Sequence, residues 1–354
     1  NEDDFIKTMQ MNKIKHKINL ANISRFRTII QILSFILIMY GGYAAITISE
    51  RIPTFACPYA TGSAGTCYLI AMQHGLHITW ADFASYRGFG FYTGLLIFLA
   101  WFIVFNKSWC GFVCPLGSIQ DWITKLRKLL GIAFTKYDSK LFKKLRFIKF
   151  IVLGLLILIP LGMSNSLFGL PHFSHDLGAP FCQICPGRTV LPLFTGSTSE
   201  LFIDFANNTT IFMSTLGIII FVTFIIGSFF KKRFFCFFCP MSALQFLFSR
   251  IGLLRMTKVG SVCTKCGNCS RVCDIGIEQI AEDITSKFIV KDDCMMCFKC
   301  VEACPENDCL KVSFAGISIL NSTDEGFFKR YSDSKTFKID TDSKELIDQK
   351  KKND

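Results

Sequence analysis

Charge is what this chain has least of. Only 19% of its 354 residues are Asp, Glu, Lys or Arg, 51% are hydrophobic, and mean hydropathy is +0.39. That is too apolar for a soluble protein of this size. Acidic residues are scarcer than basic ones, 27 against 39, giving a net charge of +12. The basic excess flanks uncharged runs, which is the pattern of membrane topology and excludes a nucleic-acid reading. The segments 49–88 and 164–210 contain no lysine and only Arg51, Arg87 and Arg188. No C-x-x-C-H run occurs, so covalent c-type haem is excluded. No small-residue cleavage site follows the long first apolar run, so a cleaved signal peptide is not expected.

Four uncharged runs, Thr28–Ser49, Gly88–Asn106, Phe150–Pro171 and Phe205–Phe230, are expected to span a hydrocarbon core of about 30 Å. The N-terminus (Lys13, Lys15, Lys17, Arg25, Arg27), residues 107–149 and residues 231–258 are rich in Lys and Arg. The positive-inside rule then places both termini in the cytoplasm of a bacterial or archaeal cytoplasmic membrane. Leu116, Ile119, Ile123, Leu126 and Leu130 recur at helical spacing, as do Met241, Leu244, Phe248 and Ile251. Both stretches read as amphipathic helices on the inner face, the first with Lys125, Arg127 and Lys128 on its other side.

Cysteine, by contrast, is abundant at 17 residues. Two C-x2-C-x2-C-x3-C runs, Cys263–Cys273 and Cys294–Cys304, stand twenty residues apart. This is the ligand pattern of a two-cluster [4Fe–4S] ferredoxin, in which the fourth cysteine of each run serves the other cluster. Cluster 1 takes Cys263, Cys266, Cys269 and Cys304; cluster 2 takes Cys294, Cys297, Cys300 and Cys273. Zinc also uses C-x2-C pairs, but not eight cysteines in this order. Pro305 follows the second run while Asp274 follows the first, where a polar residue is expected to admit solvent.

The region before these runs reads as two similar halves. The inner pairs are Cys110-x3-Cys114-Pro115 and Cys236-x2-Cys239-Pro240, with Gln120 and Gln245 each six residues past the second cysteine. Proline there suits the first turn of a helix whose positive end favours thiolates. A third iron–sulfur centre on Cys110, Cys114, Cys236 and Cys239 is one reading; packed thiols, zinc, another metal or a disulfide are the others. The outer loops carry Cys57, Cys67, Cys182 and Cys185, for which disulfides, a metal or iron–sulfur centre, and free thiols all stay open. His77 and His172 head the histidines of these loops, either as plain surface residues or as proton acceptors for a quinol. Cys309 is left over and reads as a packed thiol.

Over roughly residues 28–310, with Cys110–Pro115, Cys236–Pro240 and the two ferredoxin runs, the chain resembles the polytopic membrane ferredoxins of the NapH/NosR type. These accompany periplasmic nitrate reductase and nitrous oxide reductase. Cys110–Pro115 matches the family's C-x3-C-P motif, whereas Cys236–Pro240 is one residue shorter and the outer cysteines lie outside the hallmark. The resemblance implies a subunit that exchanges electrons between the quinone pool and partner redox proteins, a quinol dehydrogenase component of an anaerobic respiratory complex. The expected architecture is mainly α: a cytoplasmic segment 1–27, a four-helix membrane domain 28–253 in two pseudo-repeated halves, a small α+β two-cluster domain 254–312 and a cytoplasmic tail 313–354. Membrane lipid, quinol and other redox subunits are the expected partners. A thiol–disulfide relay and a redox-sensing or assembly protein are the alternatives. A bilayer is too wide for one hop between inner and outer centres, so a further carrier such as haem or flavin is expected between them.

Overall fold

The computed structural model of the protein describes residues 23–48, 56–75, 86–132, 139–164, 179–249, 251–289 and 294–331. His77 and His172 lie outside them. The chain divides into two units: Arg25–Leu254 with Asp292–Cys297, and Asn1–Ser24 with Arg255–Lys291 and Phe298–Asp354.

The larger unit is helical. α1 (Ile23–Tyr40) starts earlier than the uncharged run at Thr28 and passes into a 3-10 turn at Gly41–Ala44. The early start brings Arg27 into the helix, which is tolerable because its Nε donates to Gly111 O at 2.8 Å. Then follow α2 (Tyr68–Gly75), α3 (Tyr86–Phe105), α4 (Ser108–Phe112), α5 (Pro115–Leu129) and α6 (Ser139–Ser164). The second half holds α7 (Pro180–Ile184), α8 (Pro186–Phe194), α9 (Asn208–Phe230) and α10 (Pro240–Phe248). Among the described residues two helices are long and apolar enough to cross a membrane: Ile23–Ala44, mean hydropathy 1.4, and Asn208–Phe230, at 2.3. Phe89–Phe105 and Phe147–Gly162 are apolar but shorter.

Caps fix the ends of α9. Asn207 and Thr210 form a capping box at its start. At its end the Arg127 guanidinium donates to the carbonyls of Phe229 and Phe230, which have no partner within the helix. Arg127 is therefore buried rather than on the solvent side of α5, and its neighbours correct the interfacial reading of that helix. Leu116, Ile119 and Ile123 pack with Phe35 and Met39 of α1, Val190 and Leu191 of α8 and Phe224 of α9. Met241 and Leu244 of α10 likewise pack against Phe98 and Phe102 of α3 and Leu156 of α6. Leu126, Leu130 and Ile251 of the predicted stripes stay exposed. The apolar faces of these helices meet protein, because the faces of α1, α8 and α9 complement them.

In the smaller unit β1 (Leu254–Lys258), β2 (Leu310–Phe314) and β3 (Ile317–Asn321) form a sheet in that order, with β2 and β3 antiparallel. Ala315 and Gly316 join them with φ of 48° and 89°, the positive pair that a tight type I′ hairpin requires. Short helices α11 (Asn268–Arg271), α12 (Gln279–Glu282) and α13 (Lys299–Glu302) carry or follow cysteines, and α14 (Asp324–Tyr331) closes the unit. The expected domain end at 312 is thus too early. Strand β3 and α14, with Phe327 1% exposed, belong to the folded part rather than to a solvated tail.

Candidate metal centres

The ferredoxin runs use one backbone device twice. Lys265 and Met296, each just before the second cysteine of its run, have φ of 55° and 48°. Gly267 and Phe298, just after it, have φ of 76° and 61°. For Lys, Met and Phe this left-handed geometry costs on the order of 1 kcal/mol or more each. It turns successive N–H groups into the loop, a concavity that holds anions including iron–sulfur clusters. Thus the Met296 N–H donates to Cys294 Sγ at 3.4 Å, and after Gly276, at φ 76°, the Ile277 N–H donates to Cys273 Sγ at 3.5 Å. Cys263, Cys266, Cys269 and Cys304 line a cleft together with Lys258 and Cys309. These residues fit a [4Fe–4S] cluster. Of the second set, Cys273 and Cys300 belong to the smaller unit, and Cys294 and Cys297 to the larger.

Burial pushes the Cys269 thiol up to about 12. Cys309 is no isolated packed thiol: its hydrogen bond to Cys304 brings that group down to about 7 while Cys309 itself is raised. Lys258 is buried, and its ammonium donates to the carbonyls of Ile280, Ala281 and Asp283 at 2.7, 3.3 and 2.9 Å. Asp274 does not open its loop to water. It is 6% exposed and paired with Lys299, whose charge compensates the carboxylate.

In the larger unit the structure brings the inner four cysteines together. Cys110 and Cys114 lie within electrostatic reach of each other and of Cys236, and Cys239 within reach of all three. Pro115 and Pro240 start α5 and α10 as expected, each behind an extended cysteine, Cys114 at φ −55° and Cys239 at φ −68°. The N–H groups of Leu116 and Gly117 consequently face Cys114 Sγ, and that of Ser242 faces Cys239. The two glutamines cross between the corners. Gln120 sets its Nε2 4.0 Å from Cys236 Sγ and accepts the Phe235 N–H at 3.0 Å, while Gln245 Oε1 stands 2.9 Å from Cys110 Sγ.

Charge is also placed there, by residues that the sequence did not single out. Buried Arg233 hydrogen-bonds Cys236, donates to Cys110 O at 3.0 Å and pairs with Asp121. Asp121 further accepts from Arg27, and from Gln31 Nε2 at 2.7 Å. A Cβ on Gly117 would stand 2.1 Å from Arg233 Nη1, so only glycine leaves room for the guanidinium. Two arginines against one carboxylate leave net positive charge beside the thiols.

The outer four converge too. Cys57 lies within reach of Cys185, and Cys182 within reach of Cys57, Cys67 and Cys185. Among the described residues no disulfide joins Cys57 to Cys67 or Cys182 to Cys185. The two sets also adjoin: Cys114 lies within reach of Cys67 and of Cys185, and Cys67, Cys185 and Cys239 pack on one apolar cluster. The expected separation across a bilayer is corrected, and with it the need for a carrier between the two sets. Loop cysteines read as facing opposite sides meet because the short helices α2, α5, α8 and α10 fold into the helical core. Among the described residues no three His, Cys, Asp or Glu side chains close on a point as a single ion would require.

A 4Fe-4S binding domain model matches residues 87–133 and again 213–258, and a 4Fe-4S dicluster domain model matches 255–305. With the cysteine geometry these define an iron–sulfur electron transport protein. The chain is 26% identical over 224 residues to an uncharacterized protein of Methanocaldococcus jannaschii, covering 62% of this chain and 78% of that one. It is 25% identical over 217 residues to the ferredoxin-type protein NapH of Haemophilus influenzae, covering 60% and 64%. With the Escherichia coli protein YccM, provisionally an electron transport protein, identity is 23% over 214 residues, 60% of this chain and 52% of that one. The chain is similar to the NapH-type membrane ferredoxins. No solved structure matches it.

Proposed function

We propose that this protein is a multi-pass membrane subunit that exchanges electrons between the quinone pool and partner redox proteins, as a quinol dehydrogenase component of a respiratory complex. The observation that carries this reading is the convergence of Cys110, Cys114, Cys236 and Cys239 around crossed glutamines and a buried arginine. Iron–sulfur clusters, when bound, supply one-electron transfer. The chain's own residues hold and tune: helix-start N–H groups and Gln120 face sulfur, Arg233 lowers the cost of negative charge, and the apolar wall excludes water. The double match of one 4Fe-4S model supports two repeated halves, and the apolar stretches of α1, α3, α6 and α9 support four spans. Lys and Arg near the span ends support a cytoplasmic ferredoxin domain. A thiol relay needs accessible, low-pKa thiols, whereas Cys57 and Cys182 are at most 8% exposed.

The test is anaerobic stopped-flow spectroscopy of the full chain in lipid nanodiscs. A reduced quinol should bleach the iron–sulfur absorbance, and Cys236→Ala should abolish the bleaching of one centre while the dicluster signals remain on chemical reduction. Clusters that dithionite reduces but no quinol does would overturn the reading.

A further inference from the structure

We infer that Cys57, Cys67, Cys182 and Cys185 hold a polynuclear iron–sulfur cluster of their own, side by side with the one at Cys110, Cys114, Cys236 and Cys239. These four cysteines lie outside the stretches that the 4Fe-4S models match. The structure nevertheless builds their surroundings with the same parts.

The most telling part is Gln73, fully buried on α2. Its Nε2 donates to Cys182 Sγ at 3.4 Å and to Leu69 O, four residues back, at 2.8 Å, while its Oε1 accepts the Phe181 N–H at 3.2 Å. Gln120 does the same in the neighbouring set, with Nε2 toward Cys236 Sγ and Leu116 O, four residues back, and Oε1 on the Phe235 N–H. In both a phenylalanine precedes the cysteine and one amide bridges its N–H and the sulfur that follows. Each glutamine also stands six residues past a helix-start cysteine, Cys67 or Cys114, as Gln245 does past Cys239.

The backbone repeats as well. Cys185 precedes Pro186 of α8 with φ −68° and ψ 128°, close to Cys239 at −68° and 119°. The N–H groups of Gly187 and Arg188 face Cys185 Sγ, those of Leu69 and Ile70 face Cys67, and that of Tyr59 faces Cys57. Arg188, paired with Glu200, lies near Cys57 as Arg233, paired with Asp121, lies near Cys236. A simple packed thiol needs none of this. Four convergent thiols, each faced by a backbone or side-chain N–H, form a set of ligands that a cluster would satisfy.

The site stands whatever the electron donor is, and metal content tests it apart from quinol chemistry. The full chain, purified in detergent without oxygen, is assayed for iron and acid-labile sulfide per polypeptide. At about four iron per cluster, two dicluster sites and two further sites give roughly 16. Cys182→Ser should fall to roughly 12 with dicluster resonances intact, and Cys182→Ser combined with Cys236→Ser to roughly 8. Gln73→Leu should keep the iron of the unmodified chain and shift the potential of the centre that Cys182→Ser removes. Unmodified protein with roughly 12 iron, Cys182→Ser with undiminished iron, or a Cys182–Cys185 disulfide in the intact mass would each overturn the inference. If Cys182→Ser fails to fold, the count on the unmodified chain and the Gln73→Leu potential decide it. A chain with the full iron that no quinol reduces would leave this site standing and remove the quinol reading alone.

Discussion

Gln245 of α10 reaches back to Cys110 of α4, with its Oε1 2.9 Å from Sγ and its Nε2 buried without a hydrogen-bond partner among the described residues. As drawn, the thiol donates. A cysteine that ligates iron has no proton to donate, and turning the amide over presents the unpaired Nε2 to sulfur, the arrangement that Gln120 already has with Cys236.

Removing either amide should therefore change a potential more than an iron count. Hydrogen bonds to ligand sulfur stabilise the more negative, reduced state. If the bond strengthens by about 1 kcal/mol on reduction, its loss lowers a one-electron midpoint by on the order of 40 mV. Gln245→Leu and Gln120→Leu should each give a negative shift in an anaerobic redox titration followed by EPR. Unshifted midpoints would mean that the amides serve packing only.

Asp121 is the neutralising centre of the same region, and removing its charge should be costly. Arg27 and Arg233 pair with it while only 4% and 1% of their side chains are exposed. Breaking a buried pair by deleting one partner costs about 3–5 kcal/mol because the other charge stays buried. Asp121→Ala should lower the thermal midpoint in detergent sharply, and Gly117→Ala should do so to a smaller degree by displacing the Arg233 guanidinium. A change in Asp121→Ala no larger than about 1 kcal/mol would place these groups in contact with water.

What was legible in the sequence follows the range of each interaction. The dicluster ligands were readable because their spacing is local and their turns lie within the runs. Gln120 and Gln245 carried a visible common offset from cysteine. Gln73 has that offset from Cys67, but Cys67 lacks the proline that marks Cys114 and Cys239, so the signal was hidden. Asp121 and Arg233 meet across more than a hundred residues, and nothing local announces a partner that distant. The meeting of the two cysteine sets was misread because counting spans assigns loops to opposite faces, whereas packing folds α5 and α8 onto the same core.

Cys309 provides the sharpest test in the ferredoxin unit, since its thiol lies beside two ligands of one cluster. It is 1% exposed, lines the cleft with Cys263, Cys266, Cys269 and Cys304, and hydrogen-bonds to Cys304. The run spacing assigns the fourth ligand to Cys304, whose place ahead of Pro305 matches the dicluster pattern. Cys309→Ala should then retain about eight dicluster iron atoms with an altered EPR line shape, because a hydrogen bond to ligand sulfur has gone. Cys304→Ala should lose about four iron unless Cys309, already within hydrogen-bonding distance, takes the vacant corner. Iron analysis of the two single variants and the double variant separates these outcomes. If Cys304→Ala keeps its iron and only the double variant loses it, Cys309 is a reserve ligand; if Cys309→Ala alone loses iron, the assignment of Cys304 falls.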